Sequence, residues 1–321
     1  MSNGIVFVVS FILSATVLVL ERAFGLGIDF HPDSVTYLTR SDTVFEMAAA
    51  NPRMILNHGY YILASFLGQN PNYLVAVNMV LYAFTNALLH SSFRTSAMRV
   101  APETFSRTFY FLLYLLLLFN LYRLHLSVHV LKDTVITFLA VLMFNLGPFR
   151  GSILVPLISI FRLFGVAYFI LFLKGRPLYF AIFFFGIIAI VGGQVDAISS
   201  FLLDWNDKDF NFRQGTEVPT FQALGLVGVV LRMIVWPILM LSGFFLFLAP
   251  AVLFVPIALG SFVLQLWGLA VFRRPIFTLS AFGLLALIAA LVPGFTTYQR
   301  YCLPILTVLP ILYLRVRVIK A

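Results

Sequence analysis

Long apolar stretches recur along the chain, at residues 5–20, 73–93, 108–122, 134–148, 178–193, 276–292 and 302–314, and none of them contains Asp, Glu, Lys or Arg. Residues 108–122 are apolar without alternation, whereas a membrane barrel would show short segments alternating between lipid and lumen. The pattern therefore predicts helices. Residues 152–173 read as an irregular element, and 219–272 as two long or three short helices around Pro237, Pro250 and Pro256. Helices broken by proline at that density suit backbone that lines a cavity rather than lipid.

Composition turns this pattern into a class. The chain is 61% hydrophobic and 10% charged, too few polar groups to clothe a water-soluble fold. Each long stretch approaches the roughly 20 residues that cross a bilayer as a helix. The expected fold is all-α: a polytopic transmembrane helical bundle of about 9–11 spans in one integral membrane domain, 1–321. The first stretch lacks a basic leader, and Glu21-Arg22-Ala23-Phe24 is a poor cleavage site, so it reads as a retained span. Cys302 is the single cysteine, which excludes an intramolecular disulfide.

The net charge of +9 comes from basic residues scattered at span ends rather than gathered on one face, so no nucleic-acid partner is expected. Lys174, Arg176, Arg273, Arg274 and the tail from Arg315 to Lys320 should face the cytoplasm. The first loop, 21–72, carries Glu21, Asp29, Asp33, Asp42 and Glu46 against Arg22, Arg40 and Arg53, and should lie outside. Residues 54–68 either cross or lie at the outer surface. If they crossed, Arg94, Arg99 and Arg107 would fall outside, against the positive-inside bias, and Asn57, His58 and Tyr60 make their front half polar. The surface reading is preferred, which places 123–133 outside as well.

Charge inside an apolar run is costly, at least roughly 2.5–3.5 kcal/mol on insertion scales. Arg162 and Arg232 stand in such runs. Either they snorkel or bond a backbone carbonyl, or they present a guanidinium fork to a phosphate. Lys132-Asp133 opens the stretch from Thr134, preceded by Arg123, His125 and His129. Asp133 alone reads as a helix cap; the basic and titratable groups before it suggest an anion pocket at a helix end. His90 reads as structural. Asp207-Lys208-Asp209 reads as a solvated loop, and Trp205, Phe210 and Phe212 as interfacial anchors or sugar-stacking rings. No His-Glu-x-x-His, cysteine pair or carboxylate cluster with metal spacing is present in the sequence.

Four segments in order carry a resemblance over roughly the first 175 residues. They are Asp33-Ser-Val-Thr-Tyr37, His58-Gly-Tyr60-Tyr61 with its following helix to Gly68, Lys132-Asp133, and Arg162 followed by Tyr168. Together they resemble the GT-C superfamily of polytopic glycosyltransferases, especially the bacterial aminoarabinose-transferase, O-antigen and exopolysaccharide-assembly branch. Tyr298-Gln-Arg300-Tyr301-Cys-Leu-Pro304 is similar to the Arg-Tyr-x-x-Pro that opens the last span of such enzymes. The chain also departs from the pattern. Asn57-His58-Gly59 stands where aminoarabinose-type enzymes have Lys-Pro-Pro, and the paired Asp-Glu of the mannosyltransferases is missing.

The resemblance implies a catalytic module over 1–175, variable C-terminal helices over 176–321, and a site facing the exterior of a bacterial inner membrane. It implies a polyprenyl-phosphate-linked sugar donor and a lipid-linked glycan or lipid acceptor. A divalent cation stays open, since some members use one and others none. Inverting transfer needs a carboxylate to take the acceptor's proton; Asp33 is the first candidate and Asp29 the second. The departing lipid phosphate needs preset cations, with Lys132, Arg162, Arg300, His58 and His129 as candidates. Tyr37, Tyr60, Tyr61, Asp133 and Tyr298 are candidate substrate contacts. Two rivals stand beside the transferase: a block polymerase of the same class, and a flippase or transporter of lipid-linked saccharides. The flippase would want an internal repeat, which the chain lacks.

Overall fold

In the computed structural model, residues 2–27, 30–51, 55–97, 120–162, 168, 224–242, 283–286, 288–290 and 298–308 are described. The chain divides into two compact units, Met1–Phe172 with Leu306–Ala321, and Leu173–Ile305. Among the described residues the structure is helical, without strands.

The first unit is built on α1 (Asn3–Ala23) and α5 (Pro71–Ala97), which pack against each other. Both contain stretches long and apolar enough to cross a membrane, Asn3–Ala23 and Pro71–Thr95. Helix α1 starts where Ser2 accepts a hydrogen bond from the Ile5 amide at 3.3 Å, satisfying one of the amides a helix start leaves unpaired. Its inner stripe is small, Val6, Ser10 and Ser14, while Ile5, Val8, Ile12, Val19 and Leu20 face outward. Small residues at the contact let two helix backbones approach where no water drives them together.

Helix α5 buries a polar stripe, Asn78, Tyr82, Asn86 and His90, at four-residue intervals that keep one face. Asn86 donates to Ser10 Oγ at 3.0 Å, and its amide oxygen accepts from Arg123 Nη2, whose guanidinium lies 5.4 Å from the Tyr82 ring centre. Burial lowers the Arg123 pKa from its ordinary value, with Tyr82 opposing. Asn78 Nδ2 donates to the carbonyls of His129 and Leu131 at 2.8 and 3.0 Å, and contacts Tyr60 Oη at 3.1 Å. The segment following α6 (Leu121–Ser127) is thereby tied to α5.

Between α1 and α5 lie three short helices, α2 (Pro32–Thr39), α3 (Ser41–Ala50) and α4 (Gly59–Phe66). Helix α4, with its 8 residues, is about 12 Å long and far short of the ~30 Å hydrocarbon core, in keeping with a surface element rather than a span. Its far end is pinned by Asp42, which accepts from Ser65 Oγ at 2.9 Å and from Gln69.

The expected span over 134–148 has a different form. Helix α7 (Asp133–Gly151) breaks at Gly147, whose φ of +79° suits glycine alone. The chain then doubles back, so that a Cβ on Gly151 would lie 2.6 Å from the Met143 carbonyl oxygen. Helix α8 (Leu154–Phe161) returns alongside α7. The helical arm up to Gly147 is one of the shorter apolar helices. Its lower end is held to α5 by a bond from Ser92 Oγ to Asn145 Oδ1. The ascending arm docks under α4, where the Asn57 amide donates to the Ser159 carbonyl at 3.1 Å. A Cβ on Gly59 would meet Ile160 Cγ2 at 2.4 Å, so only glycine permits this approach of α4 to α8.

In the second unit α9 (Gly225–Ser242) carries Pro237 in its interior. Buried Arg232 lies over the Trp236 ring at 5.5 Å, and Trp236 packs on Tyr298 with ring centres 5.2 Å apart. The expected spans 108–122 and 178–193 fall outside the described residues, apart from the end of the first.

Candidate functional site

The connection between α1 and α5, the segment after α6 and the open end of the α7–α8 hairpin converge at one end of the first unit. His31 precedes α2 in extended backbone, and its carbonyl accepts from the Ser34 amide at 2.9 Å. Ser34 Oγ donates to the Val130 carbonyl at 3.1 Å, fastening the start of α2 to the 129–131 turn. Asp33 follows in the first turn of α2 and is half-buried.

One turn further on, Tyr37 packs edge-on against both Tyr60 and Tyr61, with ring centres 4.8 and 4.9 Å away. Of the three, Tyr37 and Tyr60 are buried and Tyr61 is half-exposed. The Tyr61 phenol is raised above its ordinary value of 10.0, first by burial and then by the charge of Asp33, with Arg40 opposing. Asp33 therefore acts electrostatically on Tyr61, whose ring packs on buried Tyr37. The Tyr60 phenol is raised further, chiefly by complete burial; its ring also packs on Tyr37, and its hydroxyl is bonded to Asn78.

Lys132 reaches the same end. Its Nζ donates to Asn57 Oδ1 at 3.3 Å, just ahead of α4, and the lysine is half-exposed. His58, stacked against Tyr61 at 5.8 Å and bonded through Nδ1 to the Leu56 carbonyl at 3.0 Å, is half-exposed beside it. The structure thus brings together Asp33, Tyr37, Tyr61, His58 and Lys132 around α2 and α4.

Other sequence candidates take different places. Arg162 Nη2 donates to Asp133 Oδ1 at 2.7 Å, with both side chains almost fully excluded from solvent. Asp133 is the first residue of α7 rather than its cap; the Lys132 carbonyl takes the Ile136 amide there, and the Asp133 carboxylate faces the guanidinium. Tyr168 Oη lies 3.5 Å from Arg162 Nη1. A carboxylate already balances this arginine, which makes the pair a structural clasp between the two arms of the hairpin.

The basic groups before Asp133 do not share one pocket, because each has its own partner. Arg123 turns to Asn86 and Tyr82, Lys132 to Asn57, and the histidines to Glu21. Glu21 accepts from His125 Nδ1 on one oxygen and from His129 Nε2 on the other, each at 2.8 Å. Tyr298 and Arg300 are buried in the second unit. Asp29, Asp207 and Asp209 lie outside the described residues.

Two features escaped sequence reasoning. The Asn78–Asn86 stripe carried a signal, a four-residue repeat of amide and aromatic side chains within an apolar run. The pairing of Glu21 with histidines more than a hundred positions away carried none, because it depends on α1 and α6 meeting.

Comparison with known protein families, characterised proteins and solved structures finds no match.

Proposed function

We propose that the chain is a multi-span integral membrane glycosyltransferase, taking a sugar from a polyprenyl-phosphate-linked donor to a lipid-linked glycan or lipid acceptor at the external face. The observation that carries this reading is the placement of Asp33. A half-buried carboxylate stands at the start of a short helix, coupled by charge to half-exposed Tyr61, which packs on buried Tyr37, with Lys132 and His58 around the same short helices.

That arrangement supplies the parts an inverting transfer needs. Asp33 accepts the proton of the acceptor hydroxyl as it attacks the anomeric carbon. Half-exposed Tyr61, backed by buried Tyr37, gives the sugar an aromatic face to lie on. The leaving phosphate gathers charge as the glycosidic bond breaks, and Lys132, with His58 nearby, offers a cationic donor for it. Arg162, matched by Asp133, holds the hairpin beneath them rather than meeting the phosphate. A lipid-borne substrate fits the surroundings. Helix α1 turns Ile5, Val8, Ile12, Val19 and Leu20 outward, a surface that hydrocarbon covers at no cost. The proposed orientation puts α2–α4 on the exterior side of a bacterial inner membrane, following the positive-inside rule.

The test is transfer of radiolabelled sugar from polyprenyl-phosphate donors into lipid-extractable glycan by the purified protein in liposomes. Wild type should form product, and Asp33→Asn should lose it while keeping the wild-type unfolding temperature. Full activity in Asp33→Asn would remove this residue as the base. No transfer from any donor, with labelled lipid moving between leaflets instead, would overturn the transferase reading in favour of a flippase.

A further inference from the structure

We infer that His31, His125 and His129, steadied by Glu21, form a binding site for a divalent transition-metal ion of the zinc class. Each histidine offers one ring nitrogen, and these three nitrogens all lie within 4.8 Å of one another. The ring centres are 4.6 to 5.2 Å apart, and His31 Nε2 is 3.0 Å from His125 Nε2.

Glu21 makes this more than a crowd of rings. A metal-bound histidine usually donates its other ring N–H to a carboxylate, which fixes its tautomer and direction. Here one carboxylate serves two histidines in that way, through His125 Nδ1 and His129 Nε2. The nitrogens left over are His125 Nε2, which faces His31, and His129 Nδ1. The latter is buried without a hydrogen-bond partner, and an orphaned buried nitrogen is costly in a protein interior. A cation accepting its lone pair would remove that cost.

The supports are rigid, as a preorganised site requires. Asn78 on α5 holds the His129 carbonyl, Ser34 holds Val130, and α1 delivers Glu21. Phe30 lies against all three imidazoles, 5.0 to 5.8 Å between ring centres. Bound at about 2.0–2.1 Å from each nitrogen in tetrahedral geometry, an ion would draw nitrogens as much as 4.8 Å apart together by about 1.4 Å, a side-chain adjustment. Imidazole ligands favour zinc, copper, nickel or cobalt over magnesium or calcium. Three protein ligands are also the number found where a fourth position stays open to water or substrate. The site stands independently of the transfer reading.

The experiment uses the full chain in detergent, stripped with a chelator and then titrated with Zn2+ by calorimetry, with Co2+ as the absorbing probe. Wild type should take up one ion per chain, show the visible absorption of tetrahedral Co2+, and unfold at a higher temperature with Zn2+ than without. Mg2+ should do none of these. His31→Ala, at a half-exposed position that leaves the core alone, should abolish both the Co2+ spectrum and the Zn2+-dependent thermal shift. Glu21→Gln should weaken Zn2+ binding about 10–100-fold. Wild type that takes up no stoichiometric Zn2+ or Co2+ would overturn the site. So would a His31→Ala variant that binds Zn2+ as tightly as wild type.

Discussion

Arg162 reaches back along its own hairpin to Asp133, Nη2 to Oδ1 at 2.7 Å, in a position closed to solvent on both sides. The contact joins the residue that opens α7 to the one that follows α8, and the left-handed break at Gly147 makes the meeting possible. Breaking a buried pair by removing one partner strands the other's charge, a loss of about 3–5 kcal/mol. Asp133→Asn and Arg162→Ala should each lower the unfolding temperature sharply. The double variant should lose clearly less than the sum of the two, as coupled residues do. Additive losses in thermal unfolding of the purified protein would show that the two side chains do not support each other.

Asp33 and Tyr61 are coupled through charge, and that coupling can be measured without any substrate. A carboxylate near a phenol disfavours the phenolate, and burial acts in the same direction. Asp33→Asn removes one of the two causes, so the Tyr61 ionisation should move down toward its ordinary value. Alkaline spectrophotometric titration reads this as the difference between each background and its Tyr61→Phe version. A group whose folded pKa is raised keeps its proton longer in the folded chain. Its contribution to stability is therefore complete below the unfolded value of 10.0 and declines as pH rises through the folded one. Asp33→Asn should narrow that alkaline window. An unchanged Tyr61 titration would place Asp33 away from the ring.

Much of this arrangement could be read from the chain alone. Helices α1 and α5 follow from long apolar runs, and the polar front of α4 with its short length marked it as a surface element. The grouping of Asp33 and Tyr37 with Tyr61 follows the order of short segments along the loop. Contacts made across the fold were hidden. From sequence Arg162 reads either as a snorkelling side chain or as a fork for a phosphate, because nothing in a one-dimensional run shows that Gly147 folds the chain so that Asp133 supplies the carboxylate. His31 and His125 are 94 positions apart, and the His125-x3-His129 spacing, though one that metal ligands use, does not point to His31. Periodicity reports which face of a helix is buried; it does not report what that face meets.

Asn78 links the scaffold to the candidate site. Its amide holds two carbonyls of the 129–131 turn inside the protein, at a position fully excluded from solvent. Asn78→Ala leaves those carbonyls without their donor, a cost of about 1–3 kcal/mol. Asn78→Asp should cost more, because a carboxylate placed against two carbonyl oxygens offers no matching donor. Both variants should unfold at lower temperature than wild type, in that order. They should also weaken Zn2+ binding, since His129 belongs to the turn that loosens. Asn78→Asp as stable as wild type would mean that the turn is held by other contacts.

The orientation of the first unit can be decided by where cysteines react. The buried native Cys302 gives a low background. Ser34 and Ser127 are unsuitable probes because both are buried. Exposed Thr39, at the end of α2, and exposed Thr95, near the far end of α5, are better placed. If the acidic loop faces outward and α5 crosses, Thr39→Cys should react with an impermeant thiol reagent in intact cells. Thr95→Cys should react only after permeabilisation, consistent with Arg94 beside it on the cytoplasmic side. The reverse pattern would invert the unit and place Asp33 and Lys132 in the cytoplasm. Reaction of both cysteines from the same side would mean that α5, despite its length, does not span.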